Sequence, residues 1–302
     1  MTSTFGFSTS DQIPISQQIP GYRLRRHVGT DAIGLWFDAE QESLGRKITL
    51  KTLKPDYEEH AGAHKEFLAE MDRLAALDHP NLLRVIDTRR EKPLALVTER
   101  MTAATVAALL EGGKPVGRED ALRPLIETAR GLAYLHEQGL NHKNLHPGLL
   151  SKSDGGVVRI ATFRNIVSHE ELAAIRGKLV QDPRYVAPEQ LGGDHAIGPK
   201  VSTYQLGAML YHLLAAMPPH EGADAKETAL LHFREEFPSL KKKQPFLPAP
   251  LLDLVQEATQ RDPEARPTVS EMADRMEEIL EGKADSGKGT APRSRRRRRR
   301  RY

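Results

Sequence analysis

Eight arginines near the carboxyl end form the densest group of charged side chains in this chain of 302 residues. They are Arg293, Arg295, Arg296, Arg297, Arg298, Arg299, Arg300 and Arg301. Guanidinium groups keep their charge and offer forked donors that match phosphate, so the run predicts contact with a polyanion: RNA, DNA or an anionic membrane surface. No aromatic residue interleaves the arginines, so stacking on bases is only weakly indicated. The alternative is a solubilising terminus without a dedicated partner.

His142 and His146 are four residues apart, a spacing at which two imidazoles on one helix can share a zinc ion. The segment around them has no helical period and is interpreted as a loop, and no third ligand is evident. The chain also contains no cysteine, which removes disulfides, thiolate zinc sites, iron–sulfur clusters and cysteine nucleophiles. The sequence therefore predicts no metal site.

The segments that must position these groups change character along the chain. Strand-like alternation is found early, in residues 22–28, 35–40, 47–53, 82–87 and 94–98. Helical periodicity is found in residues 57–77, 121–135, 201–216, 249–259 and 268–280. Strands first and helices later predict an α+β fold with a small sheet lobe (about 21–101) and a larger helical lobe (about 102–281). Residues 1–20 are expected to be a flexible extension, and residues 282–302 a disordered tail.

Eight short motifs follow one another in a specific order. They are the glycine segment 29–34, Ile48-Thr49-Leu50-Lys51, Glu70, His79-Pro80-Asn81, the segment 142–147, Thr162-Phe163-Arg164, Ala187-Pro188-Glu189 and Arg266-Pro267. Their order and spacing resemble the eukaryotic-type protein kinase domain, and are most similar to bacterial Ser/Thr kinases, over about residues 20–280. The resemblance implies a bilobal kinase-like fold with one main helix in the β-rich lobe.

The same resemblance implies that the chemistry of the family has been lost. Phosphoryl transfer from ATP needs a carboxylate beside the substrate hydroxyl, and an Asp and an Asn that hold Mg²⁺. Asn144 stands at the position of the catalytic Asp, and His146 at that of the loop lysine. Leu149 and Thr162 stand at the two positions that bind the metal. The chain therefore resembles a pseudokinase, with no intact catalytic residue and no metal site.

Nucleotide binding is a separate question. The resemblance assigns ten residues to a nucleotide site: Gly29, Asp31, Gly34, Trp36, Thr49, Lys51, Glu70, Thr98, Glu99 and Met101. Asp31 brings a negative charge to a glycine position near the phosphates, and Trp36 and Thr49 replace the smaller Val and Ala that usually contact the adenine. We therefore expect that no cofactor is required and that any ATP binding is weak and independent of metal. Lys51 and Glu70 are interpreted as an ion pair that holds helix against sheet without a ligand.

Residues that stabilise the family's fold are retained. Its apolar spine would contain Leu74, Val85, His142 and Phe163. Glu189 and Arg266 match a buried ion pair of the family. Ser202 replaces an Asp that supports the catalytic loop, so a rearranged loop is expected.

The resemblance predicts a binding or regulatory module whose partner is another protein, such as an active kinase or a signalling complex. One alternative is weak or unusual nucleotide chemistry that uses Lys51 and Glu70. Another makes the basic tail the main functional element. The stretch Leu206 to Met217 is too short to span a bilayer, and residues 1–21 lack the features of a signal peptide, so a cytoplasmic location is expected.

Overall fold

The computed structural model describes residues 18–30, 33–102, 105–153, 155–160, 166–173, 182–192 and 195–283. The amino-terminal lobe contains a five-stranded sheet and one long helix. Its elements are β1 (Tyr22–Thr30), β2 (Gly34–Gln41), β3 (Arg46–Leu53), α1 (Ala61–Ala75), β4 (Val85–Arg89) and β5 (Ala95–Glu99). The strands are antiparallel throughout, in the order β1-β2-β3-β5-β4.

Alternation along the strands produces two buried faces. One face buries Ile48, Leu50 and Val97, and Ile19 packs on it. The opposite face presents Lys51 towards α1. This helix begins after His60, whose ring accepts a hydrogen bond from the backbone N–H of Ala63. Side chains at three- and four-residue spacing along α1 then pack under the sheet: Phe67, Met71 and Leu74.

The carboxyl-terminal lobe is mainly helical. Its helices are α2 (Arg118–Glu137), α3 (His169–Ala173), α4 (Pro188–Leu191), α5 (Lys200–Ala215), α6 (Ala225–Arg234), α7 (Leu240–Lys243), α8 (Ala249–Ala258) and α9 (Val269–Leu280). Two short two-stranded antiparallel sheets complete it: β6 (Leu140–His142) with β9 (Ile166–Ser168), and β7 (Leu150–Lys152) with β8 (Val158–Ile160). The predicted α+β fold with two lobes is confirmed.

Helix α5 is the centre of the carboxyl-terminal lobe. It is buried on every side from Val201 to Leu214, which accounts for its apolar sequence. Among the described residues, no helix combines the length and apolarity that crossing a membrane requires.

Glu189 on α4 and Arg266 before α9 form an ion pair inside this lobe. The guanidinium donates to both carboxylate oxygens, at 2.6 and 2.9 Å, and the two side chains are 1% and 0% exposed. Arg266 also donates to the carbonyls of Gln260, Arg261 and Lys200. The charge of Arg266 is therefore fully compensated only while Glu189 is present.

Replacing Glu189 with Ala is expected to lower the free energy of unfolding by about 3–5 kcal/mol, because it leaves the Arg266 charge buried without its counter-ion. Urea unfolding measures this loss. Glu257→Ala is the matched control, because Glu257 pairs with Arg275 at the surface and such exposed pairs contribute under about 1 kcal/mol. Equal losses in the two variants would show that the buried pair has no special role.

Candidate functional site

Lys51 and Glu70 meet where β3 faces α1. Both carboxylate oxygens of Glu70 accept hydrogen bonds from Lys51 Nζ, at 2.8 and 2.7 Å. The lysine side chain is 0% exposed and that of the glutamate 11%. A buried ammonium is tolerated only when it is paired, and this one is paired with its own chain.

Two aromatic rings enclose the same ammonium. Lys51 Nζ lies 5.3 Å from the ring centroid of Trp36 and 5.3 Å from that of Phe67, both within the range of cation–π attraction. Trp36 is itself only 7% exposed. Its indole therefore packs against the lysine on the inner face of the sheet.

Gly34 is required by this packing. A Cβ at position 34 would lie 2.5 Å from Lys51 Cε, a distance that real side chains do not adopt. The glycine thus makes room for the lysine side chain, which is a role that needs no phosphate. Its register partner on β3 is Leu53.

The connector between the lobes, residues 99–102, is hydrogen-bonded to both of them. On the sheet side, the backbone N–H of Met101 donates to Thr49 Oγ1 at 2.9 Å. On the helical side, Ser151 Oγ donates to the carbonyl of Thr102 at 3.1 Å, and the Thr102 hydroxyl donates to the carbonyl of Lys152. Side-chain hydroxyls therefore fix the connector without a ligand.

The loop that follows β6 contains the positions where the family has its catalytic groups. Asn144, His146 and Leu149 are 5%, 8% and 2% exposed. Burial lowers the pKa of His146 to about 4, partly opposed by the negative charge of Asp182, so the imidazole is neutral at neutral pH. The loop thus offers an amide, a neutral imidazole and an alkyl chain, none of which is a carboxylate base, and the alkyl chain of Leu149 has no atom that can bind a metal ion.

Two glutamines that the sequence analysis missed hold this loop. Gln190 Nε2 donates to the carbonyl of Lys143 at 2.9 Å, and Gln205 Oε1 accepts from the backbone N–H of Leu145 at 3.3 Å. Ser202 Oγ is buried and has no hydrogen-bond partner among the described residues. Gln205 lies one turn after Ser202 on α5 and bonds to this loop, and this helical spacing was the signal available in the sequence.

The remaining predicted residues fall into two groups. Leu74 is buried, Val85 partly buried, and His142 is 0% exposed. The prediction that His142 lies in a loop is wrong, because it pairs with Ile166 in the two-stranded β6–β9 sheet, whose three-residue strands are too short for period-2 patterning to detect. Several predicted residues lie outside the described part of the chain: Asp31, Thr162, Phe163, Arg164, Arg293 and 295–301.

Within the described ranges, no group of three or more His, Asp or Glu side chains is arranged to hold a metal ion.

Gly29 lies in β1 opposite Trp36, while Thr98 and Glu99 end β5 beside β3. The predicted nucleotide residues that are described therefore gather on the inner side of the sheet and at the connector.

The two-lobed fold and the Lys51–Glu70 pair define a kinase-type architecture, and comparison with known families agrees. A model described as the protein kinase domain matches residues 22–276. The chain belongs to the protein kinase family.

Several curated relatives of the chain are bacterial protein kinases. The chain is 27% identical to the probable serine/threonine-protein kinase PknB of Lactococcus lactis over 83% of its own length and 40% of that protein. It is 30% identical to the serine/threonine-protein kinase pkn2 of Myxococcus xanthus, over 84% of the chain and 32% of that protein. It is 28% identical to the serine/threonine-protein kinase PknA of Mycobacterium tuberculosis, over 81% of the chain and 58% of that protein. The chain thus spans less than two thirds of each of these relatives.

Proposed function

We propose that this chain is a catalytically silent member of the family, a pseudokinase that acts as a binding or regulatory module. The observation that carries the proposal is the loop after β6, where buried Asn144 and Leu149 stand in place of a carboxylate base and a metal ligand. The surroundings of Lys51 support it. The ammonium of Lys51 is bound by both oxygens of Glu70, covered by two aromatic rings and shielded from solvent. Two of the ammonium's donors are used by Glu70, and the rings of Trp36 and Phe67 lie on further sides of it, so the approach left for a phosphate is restricted.

The loop after β6 supports the same proposal. A Mg²⁺ ion bound between phosphates and protein needs oxygen ligands. Leu149 has no such ligand, and it is buried in the position where the resemblance places one. Asn144 cannot remove a proton from a substrate hydroxyl at neutral pH. Gln190 and Gln205 nevertheless hold the loop in place, so the fold is maintained where the chemistry is absent.

A fold that is maintained without its chemistry is suited to binding another protein. The partner we propose is a protein such as an active kinase or a component of a signalling complex. The competing function is a weak nucleotide-dependent activity that uses Lys51 and Glu70, and one measurement separates the two.

Incubation with labelled ATP, Mg²⁺ or Mn²⁺ and general acceptor proteins is expected to transfer no label to the acceptors or to the chain itself. The matched control is Lys51→Met, which removes the cation and keeps most of the side-chain volume. The wild-type chain should give the same background as this variant. Label incorporation that Lys51→Met abolishes would overturn the proposal.

Restoring two carboxylates is expected not to rescue transfer. The double variant Asn144→Asp, Thr162→Asp regains a base and one metal ligand, but Leu149 still provides none and Trp36 still packs against Lys51. The same label assay tests it. Activity in the double variant would mean that the enclosure of Lys51 opens readily.

A further inference from the structure

The backbone N–H of Met101, in the connector, is already hydrogen-bonded to another residue of the chain. Met101 N–H donates to Thr49 Oγ1 at 2.9 Å, a bond between residues 52 positions apart. Thr49 lies in β3 and is 0% exposed. A backbone amide has a single proton, so while this bond is present Met101 offers nothing to a ligand in the cleft between the lobes.

A second threonine, Thr98, hydrogen-bonds to a backbone carbonyl of the connector. The Thr98 hydroxyl donates to the carbonyl of Glu99 at 3.0 Å and lies 3.3 Å from the carbonyl of Thr49. A carbonyl oxygen has two lone pairs, so the Glu99 carbonyl can still accept another bond. Of these two hydrogen bonds, only the one between Met101 N–H and Thr49 Oγ1 leaves its backbone group with no capacity for a further bond.

We propose that Thr49 caps the connector: its hydroxyl occupies the Met101 amide proton, which a purine base lying against the connector could otherwise accept, and it thereby weakens the binding of adenine nucleosides and nucleotides. The inference deepens the proposed function and rests on it. A purine ring nitrogen is an acceptor, as the Thr49 hydroxyl oxygen is, and both compete for the same proton. Displacing the hydroxyl would leave it buried without its partner, which opposes binding.

The side chain of Thr49 has little freedom to move aside. A β-branched residue in a strand has restricted χ1 rotation, and this one is fully buried, opposite Thr98 on β5 and hydrogen-bonded to the connector. The cap acts independently of phosphate and metal. A nucleoside without phosphates therefore tests it separately from the enclosure of Lys51.

The experiment uses the full chain and adenosine as the probe, in a Trp36→Val background that removes the indole from the inner face. Thr49→Ser keeps the hydroxyl and Thr49→Ala removes it, while both remove the same methyl group. Calorimetric titration is expected to show at least about tenfold tighter adenosine binding in Trp36→Val, Thr49→Ala than in Trp36→Val, Thr49→Ser, the gain from one recovered hydrogen bond. Equal affinities in the two double variants would overturn the cap.

Hydrogen exchange gives a second reading that needs no ligand. In otherwise wild-type chains, the Met101 amide should exchange slowly with Thr or Ser at position 49 and at least about tenfold faster with Ala. Fast exchange in the wild-type chain, or micromolar adenosine binding by it, would overturn the cap, and these two readings remain decisive if the Ala variants do not fold. Failure of the proposed function is recognised differently, by label transfer from ATP.

Discussion

Removing residues 284–302 is expected to abolish binding of the chain to random-sequence RNA, duplex DNA and anionic vesicles. We propose this from the sequence of the tail: residues 283–302 contain ten cations and one acid, whereas the rest of a chain with net charge +3 carries −6. An acidic body does not attract polyanions, so the affinity should reside in the tail. Truncation should begin after Lys283, because its backbone N–H bonds to the Glu278 carbonyl at the end of α9.

The salt dependence of this binding is the largest effect that we expect. Each phosphate contact contributes about −0.7 to −0.9 to the slope of log K against log salt, so eight engaged arginines predict a slope of roughly −6. Raising salt from about 50 to about 200 mM would then weaken binding roughly 4,000-fold. All three polyanions should compete with one another, since charge neutralisation reads no base sequence.

Matched variants of the tail show whether its binding to polyanions depends on positive charge or on arginine itself. Replacing the eight arginines with lysine keeps the charge and should keep the steep slope, whereas replacing them with glutamine should remove both affinity and slope. The melting temperature of the body should stay nearly unchanged in all of them. Full affinity in the glutamine variant would show that the tail is not the binding element.

Local pattern was sufficient to predict most elements of the fold. The apolar run from Leu206 predicted a core helix, and α5 covers Lys200–Ala215 against a predicted 201–216. Helix α1 is shorter than the predicted 57–77, because residues 55–57 form a 3₁₀ turn and His60 caps the helix at Ala61. Strand β4 begins at Val85 instead of 82, since Leu82 forms only an isolated bridge with Ile160.

The local sequence pattern could not predict the long-range hydrogen bonds that define the candidate site. Thr49 was expected to narrow a nucleotide site, but its bond to Met101 joins two segments separated by a helix and two strands. The support of Leu145 by Gln205 likewise spans 60 residues. Periodicity predicts which face of an element is buried, but it does not predict which distant atom a buried hydroxyl or amide will meet.

Acidification from pH 7 to pH 5 is expected to destabilise the carboxyl-terminal lobe strongly, because burial lowers the pKa of at least three of its histidines to about 4 or below. Burial lowers the pKa of His146 and of His212 to about 4, and that of His232 to about 3. Hydrogen bonds hold two of these rings in place: Tyr185 Oη lies 2.7 Å from His212 Nδ1, and Tyr204 Oη lies 2.8 Å from His232 Nδ1.

The direction of the effect follows from these shifts. In the unfolded chain a histidine has a pKa of about 6.5, so below that pH the unfolded state binds more protons than the folded state. The stability from the neutral rings is complete above about pH 6.5 and decreases as the pH falls towards 4. At pH 5 the loss is about 2 kcal/mol for each ring, or about 6 kcal/mol in total, which approaches the whole stability of many domains.

Urea unfolding at pH 7 and pH 5, at constant ionic strength, measures this loss in the wild-type chain. His232→Gln should reduce the difference between the two pH values by about 2 kcal/mol, whatever its stability at pH 7, because one titrating ring is gone. His195→Gln is the control, since that side chain is 48% exposed. An unchanged pH difference in His232→Gln would mean that the lobe admits water or protons to this ring. The ring of His220 packs against that of His232, with 4.8 Å between the two centroids, and burial lowers the pKa of His220 as well.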